Sequence, residues 1–293
     1  MYHSVPHSGS TPDFWEENWA ASQFEESLRF MAADPLRPIF EKYLHTDSLV
    51  LEGGCGMGNY AAYYASRGFN VIGLDFALQA LRTLHIRQPH LKLCGGDVAN
   101  LPFADETFDL YYSGGVVEHF ESGAGPSLLE ASRVLKDSGA LLISVPYYNP
   151  LRRALKRFRG MDWRSVDRCE VEPEDVMPGK SFFQYAYRPP EFQRMLESSG
   201  LNIVEKTGYA VIWGLSELPF ARGTDREFPA HADKVTSDEP VAVDVNGMIV
   251  ERKPSLIRRL VINEDASVPV LGLGVKLMRW SVANMMMFVC KKV

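Results

Sequence analysis

Four glycines fall within the run Leu49-Val50-Leu51-Glu52-Gly53-Gly54-Cys55-Gly56-Met57-Gly58, and this stretch limits the fold more tightly than any other. Leu49, Val50 and Leu51 form a short apolar run of the kind that fits a strand buried on both faces of a parallel sheet. After the glycines an apolar helical pattern begins with Tyr60, Ala61, Tyr63 and Tyr64. Strand, glycine turn and helix in that order make a ligand-binding corner. Glycine permits the tight turn and lets backbone approach a ligand where a side chain would block it. The spacing narrows the ligand. A dinucleotide site reads G-x-G-x-x-G, which after Gly54 and Gly56 requires glycine at position 59. Asn59 stands there, and the third glycine is Gly58. No G-x-x-x-x-G-K-[ST] occurs, so a phosphate-cradling P-loop is excluded.

The next signals repeat the strand-then-ligand order. Asn70-Val71-Ile72-Gly73-Leu74-Asp75 reads as a second buried strand ending in an acid. An acid about 20 residues past the first glycine, at the tip of the neighbouring strand, is placed to accept hydrogen bonds from ribose hydroxyls. A plain turn aspartate is the alternative. Leu91-Lys92-Leu93-Cys94 is a third short strand, followed by Gly95-Gly96-Asp97-Val98-Ala99. Phe108 to Ser113 forms a fourth, Val116-Val117-Glu118-His119-Phe120 begins a helical turn, and Glu130 to Lys136 reads as a helix closed by Asp137-Ser138-Gly139. Ala140 to Val145 is the fifth strand. Arg188-Pro189-Pro190-Glu191 opens a helix with proline in its first turn. That helix closes at Gly200, Leu201 to Tyr209 is a further strand, and Met285 to Cys290 is the last.

Composition is that of a globular protein: 293 residues, 46% hydrophobic and 23% charged. A formal net charge of -6 argues against nucleic acid as a general partner. The four cysteines (Cys55, Cys94, Cys169, Cys290) are scattered, with no C-x-x-C, so neither a disulfide framework nor a metal site is indicated and a reducing cytoplasm fits. The start shows no signal peptide, and no run approaches the roughly 18 apolar residues of a membrane span.

The acid at the strand end followed by three alternating glycines, Glu52-x-Gly54-x-Gly56-x-Gly58, resembles the first motif of the class I S-adenosylmethionine (SAM)-dependent methyltransferases. Leu101-Pro102-Phe103-x-Asp105-x-x-Phe108-Asp109 resembles the branch that includes quinone-biosynthesis and small-molecule methyltransferases. Arg188-x-x-Glu191-Phe192-x-x-x-Leu196-x-x-x-Gly200 is similar to the family as well. The resemblance implies an α/β fold: a Rossmann-like, seven-stranded, mostly parallel sheet with helices on both faces and the last strand antiparallel. It implies SAM as cofactor and S-adenosylhomocysteine as product. Glu52, Gly53, Gly54, Gly56 and Gly58 then belong to the cofactor corner. Asp75 meets the ribose, Phe76 packs on the adenine, Asp97 meets the adenine amino group, and the backbone of Val98 reads a ring nitrogen. For Asp97 the alternative is a cap on the turn that follows. Ser113 and Gly114 line the methionine half, because ligands of open α/β sheets bind beyond the carboxyl ends of the strands.

Residues from about Pro12 to Leu44 read as helical, with an aromatic stripe through Phe14, Trp15, Trp19 and Phe24. Packed against the core, the stripe is structural. In the resembling enzymes such a segment is a lid, which makes Trp15, Trp19 and Arg29 pocket candidates, with Arg29 meeting the cofactor's carboxylate. The expected layout is a helical lid over 1–45, a SAM-binding core over 46–146, a cap insertion over 147–187, core again over 188–213, a second cap over 214–283 and a last core strand over 284–293.

Methyl transfer asks mainly that the nucleophile be held about 3 Å from the methyl and that water be excluded. A base is needed only for a hydroxyl or a protonated amine. His119 is the candidate base, since histidine titrates near neutrality; pocket lining is its other reading. Glu118 is expected to anchor its turn, and Tyr147 and Tyr148, just past the fifth strand, are pocket candidates. Leu151-Arg152-Arg153-Ala154-Leu155-Lys156-Arg157-Phe158-Arg159 is a basic amphipathic stretch, either a solvated face or an attractor for an anionic or lipid-linked acceptor or a membrane surface. The expected activity is methylation of a small-molecule or lipid-like acceptor at oxygen. A non-catalytic SAM-binding protein, or an NAD-dependent oxidoreductase disfavoured by the glycine spacing, are the competing readings.

Overall fold

Alternate residues of the apolar strands face opposite sides of one sheet, and each side is covered by helices. In the computed structural model, which describes residues 2–6, 11–20, 31, 34–159, 180–211, 214 and 269–293, Val50, Leu110, Leu142 and Val289 share one cluster with Phe40, Tyr60 and Tyr64. Their neighbours Leu51, Tyr111, Leu141 and Phe288 share the other with Leu128, Phe192 and Leu196. A period of two with both faces buried is what an apolar strand without polar alternation dictates.

The strands of this sheet are β2 (Leu49–Gly53), β3 (Asn70–Asp75), β4 (Lys92–Gly95), β5 (Phe108–Gly114), β6 (Leu135–Pro146), β8 (Leu201–Tyr209) and β9 (Met285–Lys292). Their order is β4-β3-β2-β5-β6-β9-β8. The pairs from β4 through β6 are parallel, and β9 runs antiparallel to both β6 and β8. The Rossmann-like sheet with an antiparallel last strand is therefore present. Helices α3 (Asn59–Ala65), α4 (Leu78–Arg87), α5 (Gly125–Val134) and α7 (Pro189–Ser198) fill the connections. The chain reverses direction across the sheet at β2, where β3 and β5 lie on opposite sides, and ligands of open α/β sheets bind at such a switch point.

A second, two-stranded sheet pairs β1 (Tyr2–Pro6) with β7 (Lys180–Tyr185). The sequence reading has neither strand. Each is a short run that acquires a partner only when the chain's beginning meets a segment far along it.

Two expectations are corrected. The stretch from Pro12 to Leu44 is not helical throughout: α1 spans Pro12–Ala20, α2 spans Arg37–Tyr43, and a turn at Asp34 to Leu36 precedes the second. Pro35 disfavours helical geometry at Asp34, and the Asp34 carboxylate accepts from Leu36 N at 2.7 Å, holding the turn. Gly139 does not close a helix. Helix α5 ends at Val134, and Leu135, fully buried, already pairs with Phe108 as the start of β6; burial of Leu135 outweighs the local helix signal.

The long insertions leave and rejoin the sheet at single points. Tyr148 N donates to Tyr187 O at 2.8 Å and Tyr187 N to Pro146 O at 2.9 Å. Gly214 N and Asn284 N both donate to Ala210 O. Helix α6 (Pro150–Arg159) follows the first departure, and α8 (Pro269–Val282) precedes the second return. Most of the two expected caps, residues 160–179, 212–213 and 215–268, lies outside the described residues.

Candidate active site

The glycine corner is built as its spacing demands. Beyond β2 the chain turns through Gly54, Gly56 and Gly58 with φ of +72°, +50° and +64°, left-handed values that favour glycine. Gly54 N and Cys55 N both donate to Leu74 O, at 2.8 and 2.9 Å, and tie the turn to β3. A Cβ on Gly54 would overlap the Val116 side chain, and one on Gly56 would stand 2.6 Å from the Trp19 ring. Glu52 turns toward the helix, where its carboxyl accepts from Ala61 N at 2.7 Å. Burial pushes that carboxyl up to about 8, so it braces the strand to α3 as a neutral group.

A cavity of about 280 Å³ opens beyond the carboxyl ends of β2 to β5, comparable with the smallest small-molecule sites of roughly 300 Å³. Gly54, Asp75 and Phe76 bound one side, Gly96, Asp97 and Val98 a second, and Gly115, Val116, His119 and Phe120 a third. Asp75 is 4% exposed. It accepts from Gly56 N at 2.7 Å through one oxygen and from Ala77 N at 2.9 Å through the other. Each oxygen keeps a lone pair for a ligand hydroxyl. Asp97 caps its turn by accepting from Ala99 N at 2.8 Å and also lines the cavity.

Trp15 and Trp19 close the top of the cavity from α1, stacked with ring centroids 5.7 Å apart. Thr11 accepts from Phe14 N and starts that helix. Glu16 then clamps α1 to α4, accepting from Gln79 N at 2.9 Å and Ala80 N at 3.2 Å. A carboxylate on the free amides of a helix's first turn satisfies orphan donors and the helix dipole together.

His119 sits in a short 3-10 turn, Val117–His119, after β5. Its Nδ1 lies 2.8 Å from the Phe183 carbonyl of β7. A carbonyl only accepts, so Nδ1 carries the proton and Nε2 the lone pair. Burial pushes the ring down to about 4, against the carbonyl's opposite pull; it is neutral near pH 7. Trp15 and Phe183 pack edgewise on it at 4.8 and 5.0 Å. Glu118 is buried, its Oε1 4.0 Å from His119 Nε2.

Among the sequence candidates, the structure brings Trp15, Trp19, Gly54, Asp75, Phe76, Asp97, Val98 and His119 around the cavity. Others stand behind it. Gly53 and Gly114 sit against the Tyr111 and Tyr112 rings, where a side chain would not fit, and Gly58 sits against Leu84. Ser113 is buried at the end of β5, and the lining begins two residues on, at Gly115. Tyr147 and Tyr148 are buried away from the lining; the Tyr147 hydroxyl donates to Trp280 O at 3.0 Å. Arg29 lies outside the described residues. Gly96, Gly115, Val116 and Phe120 were not expected. A signal was present: Gly96, Gly115 and Phe120 adjoin the candidates Asp97, Gly114 and His119, and Val116 lies two residues from Gly114.

Residues 51–143 match the methyltransferase domain family. This segment holds the glycine corner, both aspartates and His119. Over this segment the chain carries a methyltransferase domain of the class I SAM-dependent kind. S-adenosylmethionine is the cofactor of that family. A probable SAM-dependent methyltransferase of Mycolicibacterium smegmatis is 27% identical over 65% of this chain and 66% of its own length. A malonyl-[acyl-carrier protein] O-methyltransferase of Yersinia pestis is 30% identical over 42% of this chain and 44% of its own. The chain thus spans from under half to about two thirds of these relatives. The crystal structure of a SAM-dependent methyltransferase from Mesorhizobium loti, 12% identical, shares the fold over 89% of this chain and 99% of that one, with a TM-score of 0.51.

The site fits the cofactor on its own geometry. Left-handed Gly54 and Gly115 leave backbone bare at the cavity, and Asp75, Asp97 and the aromatic rings of Trp15, Trp19, Phe76 and Phe120 line it. Buried polar atoms without a partner, Ser113 Oγ and Glu118 Oε2, lie at the end of β5 beside it.

Proposed function

We propose that this protein transfers a methyl group from SAM to a small-molecule or lipid-like acceptor, at oxygen. The observation that carries the reading is His119: a neutral imidazole with its Nδ1 proton committed to Phe183 O and its Nε2 lone pair left for a proton. A hydroxyl acceptor must shed its proton during transfer, whereas a deprotonated amine need not. When bound, the cofactor supplies a sulfonium methyl, whose leaving group departs neutral. Asp75 takes the ribose hydroxyls on its remaining lone pairs, Phe76 flanks the adenine, and Asp97 with the Val98 amide reads its edge. Gly54 and Gly56 let the backbone approach, and Trp15 and Trp19 exclude water above.

An apolar acceptor suits this lining. Trp15, Trp19, Val116 and Phe120 outnumber the polar groups, and no lysine or arginine of the described residues lines the cavity. Exposed Arg153 and Arg157 on α6, and exposed Leu273, Leu277 and Trp280 on α8, support a lipid-linked acceptor approached at a membrane surface. The name of the Yersinia relative supports oxygen as the methylated atom.

Calorimetric titration with SAM, S-adenosylhomocysteine and NAD tests the reading, alongside Asp75→Ala. Micromolar binding of the first two, lost in the variant while its fold persists by circular dichroism, is the expected result. Binding of NAD instead, or SAM binding indifferent to Asp75, would overturn it. Turnover with a panel of phenols, enols and lipid-linked sugars separates an enzyme from a protein that only binds SAM.

A further inference from the structure

Glu118 is the group at this site whose chemistry the fold leaves unfinished. Its residue is 1% exposed and its Oε2 has no hydrogen-bond partner. Oε1 stands 3.5 Å from where a Cβ on Gly115 would be, and Gly115 lines the cavity. The same oxygen is 4.0 Å from His119 Nε2. An unpaired buried carboxylate is costly, so such a group stays protonated until a cation arrives.

Among the described residues, nothing packed against it supplies that cation. Strand β7 spends the Phe183 carbonyl on His119 and the Tyr185 hydroxyl on Glu121 O. The end of β6 brings Tyr147, whose hydroxyl is taken by Trp280 O. Strand β9 brings the Met285 methyl toward Gly115, and α1 brings the Trp15 ring to His119. Among the described residues, His119 is the titratable neighbour within ion-pair range. Burial alone holds the Glu118 carboxyl up to about 8, opposed only by its own backbone N–H.

We propose that Glu118 is the counter-charge for the cofactor's sulfonium, ionising when that cation binds and so converting His119 into the proton acceptor of the reaction. This rests on the SAM reading above. With Glu118 neutral, His119 is a feeble base, held down to about 4. A carboxylate at about 4 Å favours the protonated imidazole by roughly ten- to a thousand-fold, which brings it toward the working range of a general base. The protons balance. On binding, the Glu118 proton leaves to solvent. During transfer the acceptor oxygen forms its bond to the methyl carbon, the pair of the broken C–S bond stays on sulfur, and the acceptor's proton goes to Nε2. The cofactor's sulfonium charge is then gone, and the carboxylate faces an imidazolium. As product departs, that proton passes to Glu118 and restores the neutral pair.

The test is proton linkage rather than turnover. SAM is titrated into the full chain at pH 7 by calorimetry in two buffers of different ionisation heat. A carboxyl titrating near 8 that ionises fully on binding releases about 0.9 proton at that pH. Glu118→Gln, and Glu118→Met as an apolar second variant, bind SAM with that release abolished. In parallel, the midpoint of His119, read from imidazole nitrogen shifts, rises on SAM binding in the wild type and not in the variants. Unchanged proton release in both variants would place the proton elsewhere, on Asp75 for instance, and overturn the inference while sparing the SAM reading. So would SAM binding with no proton exchange, or a His119 midpoint that does not move. Failure of the wild type to bind SAM at all would sink both.

Discussion

Gly54→Ala tests whether the glycine corner is set by conformation and by close packing together. Gly54 holds φ at +72°, and a Cβ there would overlap Val116, whose Cγ1 would lie at 2.7 Å. The left-handed conformation costs an alanine about 1–2 kcal/mol, and forcing a methyl into an occupied space adds about 1–3 kcal/mol. The variant should therefore lose roughly 2–5 kcal/mol of stability. For a domain of this size about 1 kcal/mol moves Tm by roughly 2–4 °C, so the transition falls by roughly 4–20 °C. Val116→Ala on its own, half-buried, should cost about 1 kcal/mol. In the double variant the overlap is gone and only the backbone cost and the lost methyls remain. A double-mutant cycle by urea denaturation should then show a favourable coupling of about 1–3 kcal/mol. SAM affinity should fall at least tenfold in Gly54→Ala and recover in part in the double variant, because both residues line the cavity. A coupling within about 0.5 kcal/mol of zero, or a Gly54→Ala variant as stable as the wild type, would refute the packing described for this corner.

Glu52 predicts a pH dependence of definite sign. Its carboxyl is held up to about 8 by burial in the fold and returns to about 4.5 in the unfolded chain, so the native state keeps a proton that the unfolded state has shed. Stability therefore falls as pH rises from about 4.5 to 8 and is flat beyond; Glu52→Gln, which still accepts from Ala61 N, should remove that part of the slope in urea titrations at several pH values. Arg152→Ala should cost about 2–4 kcal/mol by the same measurement, because the buried guanidinium donates to Tyr147 O, Asn284 O and the Asn284 side chain, and its loss removes these charge-assisted hydrogen bonds together. Arg153→Ala on the exposed side of the same helix should stay within about 0.5 kcal/mol of the wild type. Trp15→Phe and Trp19→Phe should each remove part of the fluorescence change on SAM binding, since both indoles line the cavity.

The contrast between Arg152 and Arg153 shows where sequence stops being legible. In the sequence they are adjacent members of a basic run, and both read alike, as a solvated face or an attractor for an anionic acceptor or membrane surface. The fold separates them: Arg152 is 4% exposed and holds the carbonyls where the second insertion returns, while Arg153 faces out. No periodicity in the run could announce this, because the partners are Tyr147 and Asn284, one just upstream and one far along the chain. Strands β1 and β7 were hidden for the same reason, their pairing being entirely long-range. The glycine corner and Asp75 were legible because their constraints are local. Backbone geometry demands glycine at those φ values, and a strand end demands its acid within a few residues of the ligand.

Legibility failed again, more narrowly, between Gly114 and Gly115. Both adjoin the end of β5, and strand-end reasoning reaches either. What divides them is a half turn of backbone: Gly114 is pressed against the Tyr112 ring, while Gly115, at φ +72°, turns the chain outward over the cavity. That turn also sets the direction of Glu118 and His119, three and four residues on. The N-terminal strand adds the last constraint, since it pairs with β7, and the β7 carbonyl of Phe183 fixes which nitrogen of His119 bears the proton. Removing residues 1–6 should therefore act at a distance. If β1 steadies β7, the truncated chain loses the Phe183 hydrogen bond, and the imidazole nitrogen shifts should change from one fixed tautomer to a mixture. SAM affinity through Asp75 should be largely kept. A single tautomer surviving in the truncated chain would mean that β7 holds Phe183 in place without its partner strand, and that the small sheet serves the surface rather than the site.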